Sequence, residues 1–296
     1  MGSARQSGWV AVLRILPKSL LSHAAGLAAS LRLPRFLRAR VYRAFGRWVG
    51  VDFAEVRDPL VDYPSFQAFF TRALADGVRP LEGGPETLVA PCDGTWGESG
   101  RVEAGTLLQV KGREYRLDEL LGDAAAAGAL EGAHYATFYL APGDYHRFHA
   151  PCDGSVRRAV HIPGALWPVN AIGLQGVDRL FARNERICAH LRPSLGAEAS
   201  PGLWMVAVGA TLVGKIRLVF DDLTSHRRGA GSVREYAAPG IPLARGAEWG
   251  HFEFGSTLVL VGAADAFEFV PRPPGTPLRL GEGIGRVLAP QERAAP

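Results

Sequence analysis

The pentapeptide Ala90-Pro91-Cys92-Asp93-Gly94 recurs, residue for residue, as Ala150-Pro151-Cys152-Asp153-Gly154. Asp-Gly is a turn signal, because Asp bonds to nearby backbone and Gly accepts conformations closed to other residues. Two identical turns in one chain predict two equivalent hairpins of an internally duplicated β architecture. On that reading alone neither Asp is functional. Around the turns, from Val78-Arg79-Pro80 onward, short apolar runs alternate with Gly and Pro. They predict strands at Thr106–Val110, Tyr135–Leu140, Ser155–Ile162, Leu203–Val208, Lys215–Phe220 and Thr257–Val261. Helical signals in this part are few, with Leu117–Leu121 and Val177–Phe181 the best. The Gly- and Pro-rich passage Thr224–Gly246 predicts a mobile surface loop.

The N-terminal part reads differently. Residues 1–50 hold nine Arg or Lys and no Asp or Glu, so the net charge of +4 is a local property of this segment. From Leu33 to Val49, the residues Leu33, Leu37, Val41, Ala44, Phe45 and Trp48 fall on one helical arc, while Arg35, Arg38, Arg40, Arg43 and Arg47 occupy most of the rest. The preceding stretch Trp9–Leu31 is more apolar, but Arg14, Pro17 and Lys18 interrupt it, and its charge-free run Ser19–Leu31 is too short to span a bilayer. Such helices either lie on a membrane surface or pack on the protein's own core and show their arginines to water. Each basic residue near an anionic leaflet contributes about 1 kcal/mol, so several together favour reversible attachment. A short helix at Phe66–Leu74 follows. The expected class is α+β, with a basic amphipathic helical membrane-associating region over 1–75 and a β-rich catalytic domain over 76–296, duplicated on a barrel-like or sandwich plan.

At 296 residues and 47% hydrophobic content, the chain can bury a sizeable core. Its three cysteines, Cys92, Cys152 and Cys188, are too scattered for a disulfide framework or a CxxC metal site, which suits a reducing cytoplasm. No recognisable nucleic-acid motif accompanies the basic segment, and neither nucleic acid nor metal is an expected partner.

Three segments carry chemistry: Ala90-Pro-Cys-Asp-Gly94, Tyr139-Leu-Ala-Pro-Gly-Asp-Tyr-His-Arg-Phe-His-Ala-Pro151 and Phe254-Gly-Ser-Thr257. Each alone is weak, since Gly-Ser-Thr is common in turns and two His at i and i+3 are often surface residues. Together they resemble the phosphatidylserine decarboxylase family in its short, membrane-associated bacterial form, over roughly residues 9 to 275. Further matching stretches are Phe66-Gln-Ala-Phe-Phe-Thr-Arg72, Phe181-Ala-Arg-Asn-Glu-Arg186, Val208-Gly-Ala-Thr-Leu-Val-Gly214 and Arg245-Gly-Ala-Glu-Trp-Gly-His-Phe252. Phe254 stands where this subgroup usually has Leu.

The resemblance implies a precursor that cuts itself between Gly255 and Ser256. A serine hydroxyl attacking its own backbone needs a general base within reach, and the resemblance makes His149 that base, with Asp93 behind it fixing the imidazole tautomer. Residues 1–255 become a β chain and 256–296 an α chain, which stay together as a heterodimer. Residue 256 becomes a pyruvoyl group, the expected cofactor, which takes the lipid's amine as a Schiff base and accepts the electrons released with CO₂. His146 acts on the substrate in that step. Phosphatidylserine is the implied substrate, phosphatidylethanolamine the product, and the cytoplasmic face of the bacterial cell membrane the place of work as a peripheral protein. Asp153 is expected to be structural, and His134, His161, His226 and His251 to be packed or solvated. Other readings are a Ser-His-Asp lipid hydrolase or acyltransferase, against which the missing Gly-x-Ser-x-Gly elbow speaks, and a non-catalytic lipid-binding module. The sequence leaves a homo-oligomer open.

Overall fold

The computed structural model describes residues 25–109, 112–196, 199–211, 215–225, 231–253 and 256–289. The expected junction residue Gly255 lies outside these, with Phe254, Val110, His226, Leu212 to Gly214 and most of Trp9–Leu31. Helix α1 (Arg35–Val49) and the short α2 (Phe66–Phe70) lead into the β body. Strands β1 (Thr87–Val89) and β2 (Gly94–Arg101) come next, then the side hairpin β3 (Thr106–Leu108) and β4 (Glu114–Arg116). Helices α3 (Leu117–Leu121) and α4 (Ala124–Ala129) precede β5 (His134–Tyr139). After β6 (Arg147–His149) and β7 (Gly154–Ile162) come α5 (Ala171–Gly176) and α6 (Leu180–Arg183). Strands β8 (Arg186–Pro193), β9 (Leu203–Val208), β10 (Ile216–Leu218), β11 (Ser232–Glu235), β12 (Ile241–Leu243) and β13 (Glu248–Phe252) continue the chain. It closes with β14 (Thr257–Gly262), β15 (Phe267–Phe269), β16 (Pro277–Leu278) and β17 (Gly283–Val287).

The main antiparallel sheet runs β11-β7-β8-β9-β14-β5-β2-β16, with β12 also on β7, and two small sheets run β1-β17-β15 and β6-β13-β10. This order is symmetric about the β9–β14 pair: β14, β5, β2 and β16 on one side answer β9, β8, β7 and β12 on the other. The small sheets answer each other in the same way, so the second copy is inserted whole between β5 and β14 of the first. The duplication expected from the repeated pentapeptide is present, but neither turn closes a hairpin: each joins a strand of a small sheet, β1 or β6, to one of the main sheet, β2 or β7, and among the described residues the main sheet is open, with no closed barrel.

The pentapeptides show why they repeat. In each, the Asp carboxylate accepts from a backbone amide across the turn, Leu280 to Asp93 at 2.8 Å and Arg245 to Asp153 at 2.9 Å. In each, Gly lies against a neighbouring strand so closely that a Cβ would sit 2.3 Å from the Tyr139 oxygen at Gly94 and 2.4 Å from the Arg192 oxygen at Gly154. No side chain fits there. The copies also grip each other: the Val89 amide donates to Pro151 at 2.9 Å and the His149 amide to Pro91 at 2.7 Å. The duplication itself therefore seats His149 beside the Asp93 turn.

Several elements depart from expectation. The helix expected at Phe66–Leu74 stops at Phe70, because the Thr71 hydroxyl turns back to the Gln67 carbonyl and Leu74 bridges to Val56. The one expected at Val177–Phe181 begins at Leu180, since Arg179 adopts a left-handed φ of 54°. The passage expected as a mobile loop contains β11 and β12, whose backbones use the free edge of β7. Strand β2 was hidden by its three glycines, yet Gly97 and Gly100 let the chain lie tightly against Thr137 and Tyr135 of β5. Strand β8 was hidden by Arg186, whose buried guanidinium donates to the carbonyls of Glu119, Leu120, Ala182 and Asn184.

Helix α1 rests on a small core of its own, formed by Tyr42, Val51, Tyr63 and Phe69. The Tyr42 ring stacks on Phe69 at 4.7 Å, its hydroxyl donates to the Tyr63 carbonyl, and Phe45 meets Phe66 edge-on at 4.7 Å. The apolar arc read from the sequence is thereby split. Phe45 packs against α2, whereas Val41 and Trp48, with Phe36, stay uncovered, Trp48 being 82% and Phe36 74% exposed.

Candidate active site

Thr95, Tyr139, Thr257 and Val208 form one row across β2, β5, β14 and β9. One residue beyond that row, Gly94, Leu140, Ser256 and Gly209 leave the sheet at the same end, and the Leu140 amide donates to the Ser256 carbonyl at 2.9 Å. Asp93 and Ser256 are thus brought to one rim. The His149 amide bond to Pro91 adds the third predicted residue, and the His146 carbonyl, accepting from the Phe252 amide at 2.9 Å, puts the fourth beside the segment that runs into Ser256.

His146 is fully buried against the Phe70 ring, with centroids 4.1 Å apart. Its Nδ1 bonds the Asp144 carbonyl at 2.8 Å, so Nδ1 carries the proton and Nε2 keeps its lone pair. Burial, assisted by the nearby Arg72 charge, holds its pKa down to about 3. Its Nε2 and the Ser256 Oγ are both buried without a hydrogen-bond partner among the described residues. Unpaired buried polar atoms are costly, and these two lie at one rim.

His149 is held differently. Its Nδ1 bonds the Gly246 carbonyl at 2.8 Å, and its Nε2 meets the Tyr145 hydroxyl at 3.1 Å. Burial lowers its pKa, while Glu248 and Asp93 are close enough to oppose that shift. The contact that fixes the tautomer is thus made by Gly246. The Asp93 carboxylate is instead forked onto Arg79, at 2.9 and 2.6 Å, and Arg79 also bonds both oxygens of Glu55. The Arg79 hydrogen bond lowers the pKa of Glu55. Asp144 goes the other way, its pKa raised by burial.

Two cavities adjoin the rim. One, of about 240 Å³, is polar, with Arg72, Arg79, Asp93, Asp144 and Tyr145 among its walls. The other, of about 300 Å³, is apolar, and runs from Phe45 and Trp48 of α1 past Phe70 to Tyr139 and Leu140. Among the described residues no group of three or more His, Cys, Asp or Glu could hold a metal ion. His161 is paired with Glu185 at 2.8 Å and His134 lies on Phe269, so each has a packing role. Burial pushes the Cys92 thiol well above its usual range, which leaves it unreactive.

Sequence reasoning missed Arg72, Arg79, Tyr145 and Gly246. Arg72, Tyr145 and Gly246 sit in matched stretches and Arg79 in Val78-Arg79-Pro80, but nothing local to any of them says that the fold brings it to this rim.

The comparisons agree with the geometry. A family model described as phosphatidylserine decarboxylase matches residues 66–286. A protein of Anaeromyxobacter sp. (strain K) is 42% identical over 281 residues, covering 94% of this chain and 97% of that one. One of Myxococcus xanthus (strain DK1622) is 40% identical over 250 residues, covering 84% and 87%, and one of Stutzerimonas stutzeri (strain A1501) is 39% identical over 279, covering 92% of each. All three are named phosphatidylserine decarboxylase proenzyme. A rim that gathers Asp93, His146, His149 and Ser256 on a duplicated β body, matched across nearly the full length of such relatives, places this chain in the phosphatidylserine decarboxylase family, among the decarboxylating lyases.

Proposed function

We propose that this chain cuts itself before Ser256 and then decarboxylates phosphatidylserine to phosphatidylethanolamine at an anionic membrane surface. The observation that carries the reading is the Ser256 hydroxyl, fully buried and unpartnered at the start of a strand whose every residue is buried. His149, with Nδ1 bonded to Gly246, offers Nε2 as the base that takes the Ser256 proton once Tyr145 yields it. The freed oxygen attacks the Gly255 carbonyl, breaking the peptide bond and leaving an ester on the Ser256 side chain. Loss of the Ser256 Cα proton and of the Gly255 carboxylate gives a dehydroalanine, and water then releases ammonia. Asp93 contributes a negative charge that favours the imidazolium.

Residue 256 fits a pyruvoyl group: its carbonyl is held by Leu140 and no donor or acceptor is spent on its side chain. When formed, that ketone takes up the substrate amine and serves as the sink for the electrons left by CO₂. Neutral His146 then has a free Nε2 with which to move a proton at the substrate. Residues 76–296 serve as the catalytic body, in two chains that stay paired through β14 between β5 and β9.

Incubation with phosphatidylserine vesicles tests the reading. CO₂ release from two chains, the smaller starting at a ketone in place of Ser256, is expected; release from an uncut chain refutes it. Asp153→Asn is the control for Asp93→Asn. Both keep a side-chain oxygen for the same turn contact and lose only the charge, but only the Asp93 variant should mature slowly.

Residues 1–75 are proposed to dock on the cytoplasmic leaflet. The uncovered Phe36 and Trp48 flank Arg40, Arg43 and Arg47, and no helix among the described residues is long and apolar enough to cross a membrane. Burying each of these rings contributes about 1.5–3 kcal/mol. Phe36→Ala/Trp48→Ala should therefore cosediment with anionic vesicles at least about tenfold more weakly. Equal sedimentation would remove α1 from the contact.

A further inference from the structure

We propose that Arg72 is a positioning residue for His146, gripping the carbonyl that orients the imidazole and keeping a fixed positive charge close to the ring. This rests on the reading that His146 acts on the substrate. Arg72 is 3% exposed, and its Nη2 donates to the carbonyls of Gly143 at 2.8 Å and Asp144 at 3.1 Å. The Asp144 oxygen is the same one that receives His146 Nδ1. A carbonyl has two lone pairs, so the two donors saturate it, and the Arg72 bond fixes the oxygen that the imidazole is oriented by.

The neighbours of Arg72 hold the same segment at other points. Phe70 covers the His146 ring, and the Thr71 carbonyl takes both Nε and Nη2 of Arg147, at 3.0 and 2.8 Å. Residues 70 to 72 thus clasp residues 143 to 147 from ring, backbone and side chain. The choice of arginine adds something that a hydrogen bond does not. Its Nε and Nη1 are buried with no hydrogen-bond partner among the described residues, and the guanidinium lies over Phe69, its carbon 5.5 Å from the ring centroid. A neutral donor could bridge the two carbonyls at lower cost, since burial opposes the guanidinium charge. What the charge supplies is a field that disfavours an imidazolium.

Among the described residues, the charged and titratable groups around His146 are few. Asp144 and Tyr145 lie on its own turn, Arg147 follows it, and Arg72 comes from the segment after α2. Asp93 comes from the first pentapeptide turn, where it is paired with Arg79, and Glu253, beyond β13, is paired with Arg217. Among them Arg72 is the cation whose charge adds to burial in disfavouring the His146 imidazolium.

The test uses full-length protein with Arg72→Met, Arg72→Lys and His146→Ala, maturation being read by mass. Arg72→Met should mature, lose about 10- to 100-fold in kcat with little change in KM, and show the acidic limb of kcat/KM moved to higher pH. Loss of a neighbouring positive charge lets His146 take a proton more readily. Arg72→Lys should return that limb toward the wild-type position. An Arg72→Met enzyme with unchanged kcat and limb, beside an inactive His146→Ala, overturns the role of Arg72 alone. Normal turnover by His146→Ala overturns the His146 reading, and Arg72 with it. Should Arg72→Met not accumulate, Arg72→Gln, a carbonyl donor without charge, is measured instead, and a wild-type limb there is equally fatal.

Discussion

A Ser256→Ala chain is expected to remain one polypeptide of 31.7 kDa and to release no CO₂ from phosphatidylserine above background, a loss of at least about 10⁴ in rate. The structure separates this outcome from simple misfolding. The Ser256 Oγ is buried and makes no hydrogen bond among the described residues, so replacing it with hydrogen strands no partner. The Ala methyl occupies the Cβ position already filled, and β14 keeps its pairing with both β5 and β9. The urea midpoint should accordingly match or slightly exceed that of the precursor. A chain that folds normally, stays whole and is inert assigns the hydroxyl to chemistry. Intact mass and CO₂ release decide it, and turnover by the uncut alanine chain would sink both the cleavage and the ketone.

The second large effect divides the two histidines. His146→Ala should still mature but lose about 10²- to 10⁴-fold in decarboxylation, whereas His149→Ala should mature slowly and stay largely whole. The basis is their different neighbours: His149 Nε2 is engaged by Tyr145, while His146 Nε2 is open and its ring lies on Phe70 beside the apolar cavity. Burial also gives His146 a pH signature. Folded, it binds a proton only near pH 3, whereas an unfolded imidazole does so near 6.5. Between those values the unfolded chain holds more protons, so stability falls as pH drops from about 6.5 toward 3. In His146→Ala that dependence should be shallower, because one buried imidazole no longer has to be kept neutral. Urea titrations at several pH values measure it, and identical slopes would mean that His146 is hydrated rather than buried. Decarboxylation by the wild type should also persist below pH 6.5, since the free enzyme keeps this imidazole neutral there.

The duplication was legible from one repeated pentapeptide, because an Asp-Gly turn that must clear a neighbouring backbone tolerates little substitution. Leu203–Val208 and Thr257–Val261 were legible because strands buried on both faces are continuous apolar runs. Strand β2 was not, since its glycines report contact with β5 and carry no propensity of their own. The partners of Asp93 were not legible either. Arg79 and Glu55 lie 14 and 24 residues away from their contacts, and no local pattern records a pairing made by the fold.

By itself the sequence determined which residue types were available: a serine after glycine, two histidines three apart, an acid in a repeated turn and a helix rich in arginine. Their chemistry is intrinsic to the side chains and can be read without coordinates. Only the tertiary structure decided that the second copy sits inside the first, that Gly246 rather than Asp93 bonds His149, that Arg72 and His146 share one carbonyl, and which half of α1 stays bare. Those outcomes depend on burial and on hydrogen bonds between residues far apart in the chain, and both are set when the two halves pack together.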